Sequence, residues 1–170
     1  AMAYAERRER FVREIDARSG PFPKSRGTDI WIEAENFKVT GSWQPAWDDG
    51  TRAIRGLAPQ KGKANMAPVP AATRVLIPSR GRYRLWVRGR DFATNMPARR
   101  FFEVAIGGRR SVTRFGTHRT DGFAWQDGGF FDLEKGEVAI EIIDSSRFYA
   151  RCDKLLLTTD RDFRPESSSR

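Results

Sequence analysis

From Asp29 onward the apolar residues recur at every second position, and this alternation restricts the chain to β-structure. The run RYRLWVRGR (82–90) sets Tyr83, Leu85 and Val87 against Arg84, Trp86, Arg88 and Arg90. FFEVAIG (101–107) points Phe102, Val104 and Ile106 one way before Gly107-Gly108 turns the chain into RRSVTRF. EVAIEIID (137–144) alternates Val138, Ile140 and Ile142 with Glu137, Ala139 and Glu141, and DKLLLTT (153–159) closes the series. Successive strand side chains project to opposite faces, so each run has one face for a core and one for water. Turn chemistry (PSRG, IGG, EKG) separates the runs, with no helical period between them. Short strands punctuated in this way predict an all-β fold, an antiparallel sandwich or jelly roll. The predicted interior is Tyr83, Leu85, Val87, Val104, Ile106, Val138, Ile140, Ile142, Leu155 and Leu157, with Cys152 or Leu156 at its edge.

Ahead of the strands, AYAERRERFVREIDAR (3–18) is the one good helix candidate. Phe11 and Ile15 stand four apart, and Glu6–Arg10 and Glu9–Arg13 are i,i+4 pairs. Its thin apolar stripe suits a linker helix, a docking helix or a solvated extension. SGPFPKSRG (19–27) breaks it with Gly and Pro. The expected organisation is a helix and linker over 1–28, a β-sandwich over 29–163 and a loose tail over 164–170.

Several classes of chemistry are disfavoured by residue counts. Cys152 and His118 are single, which argues against an intrachain disulfide, a cysteine zinc site or histidine-rich metal chemistry. No apolar run approaches the ~18–20 residues of a membrane span, and no signal-peptide core is visible. No Ser-His-Asp order or glycine-rich phosphate loop occurs. Asp48/Asp49 and Asp121/Asp127 make an unconvincing glycosidase pair, and His118 reads as part of a surface turn. The net charge of +9 calls for an anionic partner. Nucleic acid is disfavoured, because the basic residues are spread over strands and interleaved with acids.

The stretch WIEAENF (31–37) carries two like charges two positions apart. As a strand it lines Ile30, Ile32 and Ala34 on one face and Trp31, Glu33 and Glu35 on the other. The two carboxylates then start roughly 6.6 Å apart. Each is solvated, or paired with an arginine, or both serve a hard cation, which takes oxygen ligands. The cation reading needs a third acid. Three segments read as loops with ligand-binding chemistry. GSWQPAWDDG (41–50) holds Trp43 and Trp47, RGRDFATNMPARR (88–100) holds Arg88, Asp91 and Asn95, and DGFAWQDGG (121–129) holds Trp125. Flat aromatic faces and planar polar groups suit sugar rings. Trp31, Trp86 and Trp125 are expected in the core; for Trp43 and Trp47, outside regular alternation, exposure and burial stay open.

Five landmarks in order carry a resemblance: IEAENF, GRYRLWVRGRDF, VAIGG, GEVAIEIID and RCDKLLLT. Over about residues 29–163 the chain resembles carbohydrate-binding modules of the galactose-binding-like jelly-roll superfamily, families six and thirty-five in particular. Such modules are appended to bacterial polysaccharide-degrading enzymes. The resemblance implies a non-catalytic accessory domain with polysaccharide and a catalytic domain of the same polypeptide as partners. It also implies an extracellular or periplasmic setting, as part of a secreted parent. It supplies the missing acid, because those modules hold a structural calcium through the positions matched by Glu33, Glu35 and Asp153. The competing occupant of that site is an arginine, Arg52 or Arg151. The ligand-binding set is expected to be Trp43, Trp47, Arg88, Asp91, Trp125 and Arg151. Where the family commonly has Asn two residues before the final Asp, this chain has Arg151. That departure favours an acidic polysaccharide, since a guanidinium fork matches carboxylate or sulfate. In the alternative, Arg151 bridges Asp144 or Asp127, and the domain packs on a catalytic domain without binding sugar itself.

Overall fold

The computed structural model describes residues 24–56 and 67–165. The helix expected over 3–18 and the tail from Glu166 lie outside the described residues. Among the described residues the strands form two antiparallel sheets. The larger runs in the order β2 (Gln44–Asp48), β3 (Thr51–Arg55), β10 (Arg151–Thr158), β5 (Gly81–Asp91), β8 (Gly122–Leu133), and β1 (Asp29–Glu33) also pairs with β10. The smaller runs β4 (Ala71–Ile77), β9 (Gly136–Ile143), β6 (Glu103–Ile106), β7 (Arg109–Arg110). Short turns around Gly107-Gly108 and Gly136, both in the left-handed region, reverse the chain between consecutive strands.

The inner faces of the two sheets meet in one core. Tyr83, Leu85, Val87, Val104, Ile106, Ile140, Ile142, Leu155 and Leu157 are buried, and half-buried Val138 packs against them. The alternation read from the sequence is therefore the alternation of the sandwich. Cys152 sits inside this cluster rather than at its edge. Leu156 is also completely buried, but on the outer side of the larger sheet, in register with Trp86 and Trp31.

Two segments expected as loops are largely strand. Residues 44–48 form β2, the outer arm of a hairpin with β3, and residues 122–129 belong to β8. Conversely, RRSVTRF yields only the two-residue β7. β1 and β3 share one edge of β10: Lys154 to Thr158 pair with β1, whereas Arg151 and Cys152 pair with β3. Asp153 lies at the changeover. It is also the extra residue of a bulge against β5, between the pairs Cys152–Gly89 and Lys154–Arg88. A bulge turns one side chain out of its ladder position, which brings the Asp153 carboxylate to the end of β1.

Candidate functional site

At that changeover three acids converge. Glu33, Glu35 and Asp153 each place a carboxylate oxygen within 4.8 Å of the others. Glu33 and Glu35 do not share a strand face as the sequence suggested, because β1 ends at Glu33 and Ala34–Asn36 forms a single 3-10 turn. The turn buries Ala34 and swings Glu35 back toward β10. Burial pushes the Glu35 carboxyl above its usual range, and the neighbouring Glu33 and Asp153 charges push it further. Its Oε2 is buried without a donor. Neither Arg52 nor Arg151 fills the cluster. Arg88 Nη1 donates to Asp153 Oδ2 at 2.6 Å, and Lys154 Nζ stands 3.4 Å from Glu33 Oε1. Arg88 and Lys154 thus each hold one of the three acids, and the Arg52 charge acts on the third, Glu35.

A second constellation lies beside it on the outer face of the larger sheet. Arg55 and Arg151 are direct partners across β3 and β10. Arg90 follows Gly89, the partner of Cys152, so Arg55, Arg151 and Arg90 stand side by side on three neighbouring strands. Like charges directly across strands are destabilising. One carboxylate answers two of them: Asp48, at the tip of the β2–β3 hairpin, is ion-paired with Arg90 and lies 2.5 Å from Arg151 Nε. Arg100 joins from the β5–β6 loop, stacked over Phe92 at 4.0 Å and facing Phe148 at 5.1 Å. Tyr149 lies 5.9 Å from both Arg55 and Arg100. Burial pulls the Arg151 pKa down against the pull of Asp48, and Arg100 and Arg55 lower it too. Among the described residues no carboxylate pairs with Arg55 or Arg100. The Nε groups of Arg55, Arg90 and Arg100 are buried and meet no acceptor. The cluster carries four guanidiniums against one carboxylate, framed by Phe92, Phe148 and Tyr149.

The expected ligand residues distribute unevenly around this cluster. Arg151 is in it, paired with Asp48 and not with Asp144 or Asp127. Trp47 is 77% exposed on the same hairpin as Asp48. Trp43 is 2% exposed, in the core, edge-on to Phe102 with its Nε1 donating to Ile142 O at 3.0 Å, so its ring faces no ligand. Trp31, expected in the core, is 48% exposed and packs edge-on against half-buried Trp125 at 5.8 Å. Arg88 is committed to Asp153 and to the Phe123 ring. Asp91 is completely buried and accepts from the backbone N–H groups of Phe92, Ala98 and Arg119, at 2.7, 2.9 and 2.8 Å. Ala98 and Arg119 have positive φ, a conformation costly for residues with a Cβ. Asp91 therefore holds two loops at the site in shape. His118 lies in a bend beside exposed Arg119 and Thr120, half-buried, its Nε2 2.9 Å from Gly122 O. Arg55, Arg100 and the rings at 92, 148 and 149 were missed, although FYARCD did carry two of the aromatics next to Arg151.

No protein-family model and no curated protein matches the chain. Solved structures do. A family 26 glycoside hydrolase–family 35 carbohydrate-binding module β-(1,4)-mannanase of Podospora anserina superposes with a TM-score of 0.59 at 18% identity, covering 82% of this chain and 29% of that one. A family 35 carbohydrate-binding module from Clostridium thermocellum gives 0.57 at 16% identity, over 76% of this chain and 98% of the module. A family 36 module of a multidomain xylanase, from the hindgut metagenome of Trinervitermes trinervoides, gives 0.56 at 16% identity, over 76% and 96%. The chain thus spans less than a third of the mannanase but nearly the whole of each isolated module. It has the galactose-binding-like jelly-roll fold of these carbohydrate-binding modules.

Proposed function

We propose that the protein is a non-catalytic carbohydrate-binding module that recognises an acidic polysaccharide and directs an attached enzyme to it. The polysaccharide half rests on the fold shared with modules of a mannanase and a xylanase. The acidic half rests on one observation, the row of Arg55, Arg151 and Arg90 joined by Arg100 and answered, among the described residues, only by Asp48. Buried guanidinium N–H groups without acceptors carry a desolvation cost. A uronate carboxylate or a sulfate ester entering beside Arg55 and Arg100 would accept from them. Exposed Trp47 and Tyr149 offer ring faces to the sugar on either side.

A calcium ion at Glu33, Glu35 and Asp153 belongs to the same reading. The donors are all oxygen, which suits a hard dication, and the orphaned Glu35 Oε2 is the kind of atom such an ion satisfies. Its role is to join the end of β1 to β10 next to the arginine row. An extracellular or periplasmic parent protein fits both the ligand and the metal.

Titration calorimetry with polygalacturonate, a sulfated glycan and a neutral mannan tests the ligand. Binding of an acidic polymer should weaken with salt, because guanidinium–anion contacts are screened over a Debye length of ~8 Å at physiological ionic strength. Arg100→Ala should remove most of that salt dependence. Trp47→Ala should lower affinity equally at every salt concentration. Binding only to mannan would overturn the acidic reading, and binding to none would favour a structural domain packed on a catalytic partner.

A further inference from the structure

The loop joining β9 to β10 carries Phe148 and Tyr149 to the arginines, and it is built with strain. Arg147 and Tyr149 have φ of 53° and 52°, a region that residues with a Cβ occupy only when their surroundings hold them there. The hold on Arg147 is Asp144. Its Oδ1 accepts from the Arg147 backbone N–H at 3.1 Å, while Ser146 N donates to Phe101 O and Gly56 N to Ala150 O. Asp144 is 4% exposed. Its Oδ2 lies over Gly56, where an added Cβ would come within 2.6 Å of it. Gly56 immediately follows Arg55, so this carboxylate sits directly behind the arginine row.

We propose that Asp144 is a positioning residue of the arginine–aromatic site: through the Arg147 amide it fixes the loop that presents Phe148 and Tyr149, and its ionisation sets how firmly an acidic ligand is held. The ligand half rests on the acidic-polysaccharide reading; the loop half does not. Among the described residues, the groups around Asp144 leave its charge largely uncompensated. Arg147 is on its own loop and exposed; from β9 comes Glu141; from β7 comes Arg110, already bonded to Glu103 at 2.7 Å; Gly56 of the β3 end, Ala67, Pro68 and Pro70 bring no charge. Burial accordingly raises the Asp144 carboxyl from 3.8 to about 6, with Arg147 opposing. Above that pH a negative charge stands behind Arg55 and subtracts from the field that attracts an anion. Below it the carboxyl is neutral, its carbonyl oxygen still accepts from Arg147, and the full arginine charge faces the ligand. Uronate carboxylates stay ionised throughout, since carboxyl groups of this kind titrate near 4 or below.

Two measurements on the intact chain test this. By NMR, the Arg147 amide and the Phe148 and Tyr149 ring resonances should titrate together with a midpoint near 6, and Asp144→Asn should abolish that common transition. By calorimetry, affinity for an oligogalacturonate should fall roughly two- to fivefold from pH 5 to 7.5. Asp144→Asn, which keeps the acceptor oxygen, should be pH-independent and as tight as the natural chain at pH 5; Asp144→Ala, which loses the acceptor, should be weaker at every pH. Ring signals that ignore the Asp144 titration, or an unchanged pH slope in Asp144→Asn, would overturn the proposal. If the rings follow Asp144 while no acidic oligosaccharide binds at any pH, the positioning role is upheld and the acidic-ligand reading falls.

Discussion

Adding or withholding calcium at the acid cluster is the perturbation with the clearest magnitude. In the acid cluster two unit charges 4.8 Å apart repel by about 3.5 kcal/mol at an effective dielectric constant of 20. Arg88 at 2.6 Å from Asp153 and Lys154 at 3.4 Å from Glu33 offset part of this; at Glu35 a backbone N–H and the Arg52 charge act the same way, without outweighing burial. An ion that binds only the folded state at a hundredfold excess over its Kd adds ~2.7 kcal/mol. For a domain of this size that is worth roughly 5–10 °C in Tm. Thermal melts with calcium and with a chelator should therefore differ by that amount in the natural chain, and Glu35→Gln should remove the difference. In chelator the same variant should melt no lower than the natural chain, because it loses a repelled charge and keeps an acceptor oxygen for the backbone N–H that Glu35 binds. The pH dependence adds a sign. Glu35 has its folded pKa raised by burial, so without metal it contributes stability that is present below its unfolded value of 4.5 and lost as pH rises through the folded pKa. With calcium bound the trend reverses, since protons and metal compete for the same oxygens. A melt unmoved by calcium or chelator, with Glu35→Gln stabilising equally in both, would show that Arg88 and Lys154 alone balance the cluster.

Three further outcomes follow from packing and charge. Ile140→Ala, at a completely buried position, should cost ~2–5 kcal/mol in denaturant unfolding; a loss under half a kcal/mol would place β9 on the wrong face. Trp43→Phe should destabilise by roughly 0.5–1.5 kcal/mol through loss of the buried indole N–H bond to the Ile142 carbonyl at 3.0 Å, whereas Trp47→Ala should leave Tm unchanged. Asp144 binds a proton more readily folded than unfolded, between 3.8 and about 6, so stability should fall as pH rises through that window; Asp144→Asn should be more stable at pH 8 by about 1–2 kcal/mol, and equal at pH 3, by chemical denaturation at both.

How far the sequence could be read depends on whether a feature is written locally or by register. The sandwich core is local: Val104, Ile106, Ile140 and Ile142 alternate with polar neighbours in short runs, and each ended up inside. The β2 strand was hidden because Pro45 and Ala46 break the apolar contrast, and β8 because the chain bulges between Asp127 and Gly129. The tryptophans were misjudged where cover comes from elsewhere in the chain. Trp43 looks like a loop residue but finds its hydrogen-bond partner on β9, while Trp31 alternates correctly and still lies on the outward face. The acid triad was legible through the order of its landmarks, although a 3-10 turn and a bulge bring the carboxylates together where a continuous strand was expected. The arginine row had no local signature. Arg55, Arg90, Arg100 and Arg151 come from four separate segments, and only the pairing of β3, β10 and β5 makes them neighbours. A net charge of +9 spread evenly over the surface would steer any anion weakly. Concentrating four guanidiniums around one carboxylate raises the local potential, and on the acidic-ligand proposal the aromatic rings and strained loops that frame them would limit which anion can come close. Specificity in this domain would therefore reside in the loops that Asp91 and Asp144 hold, and substitutions there should alter ligand choice while leaving the alternating core intact.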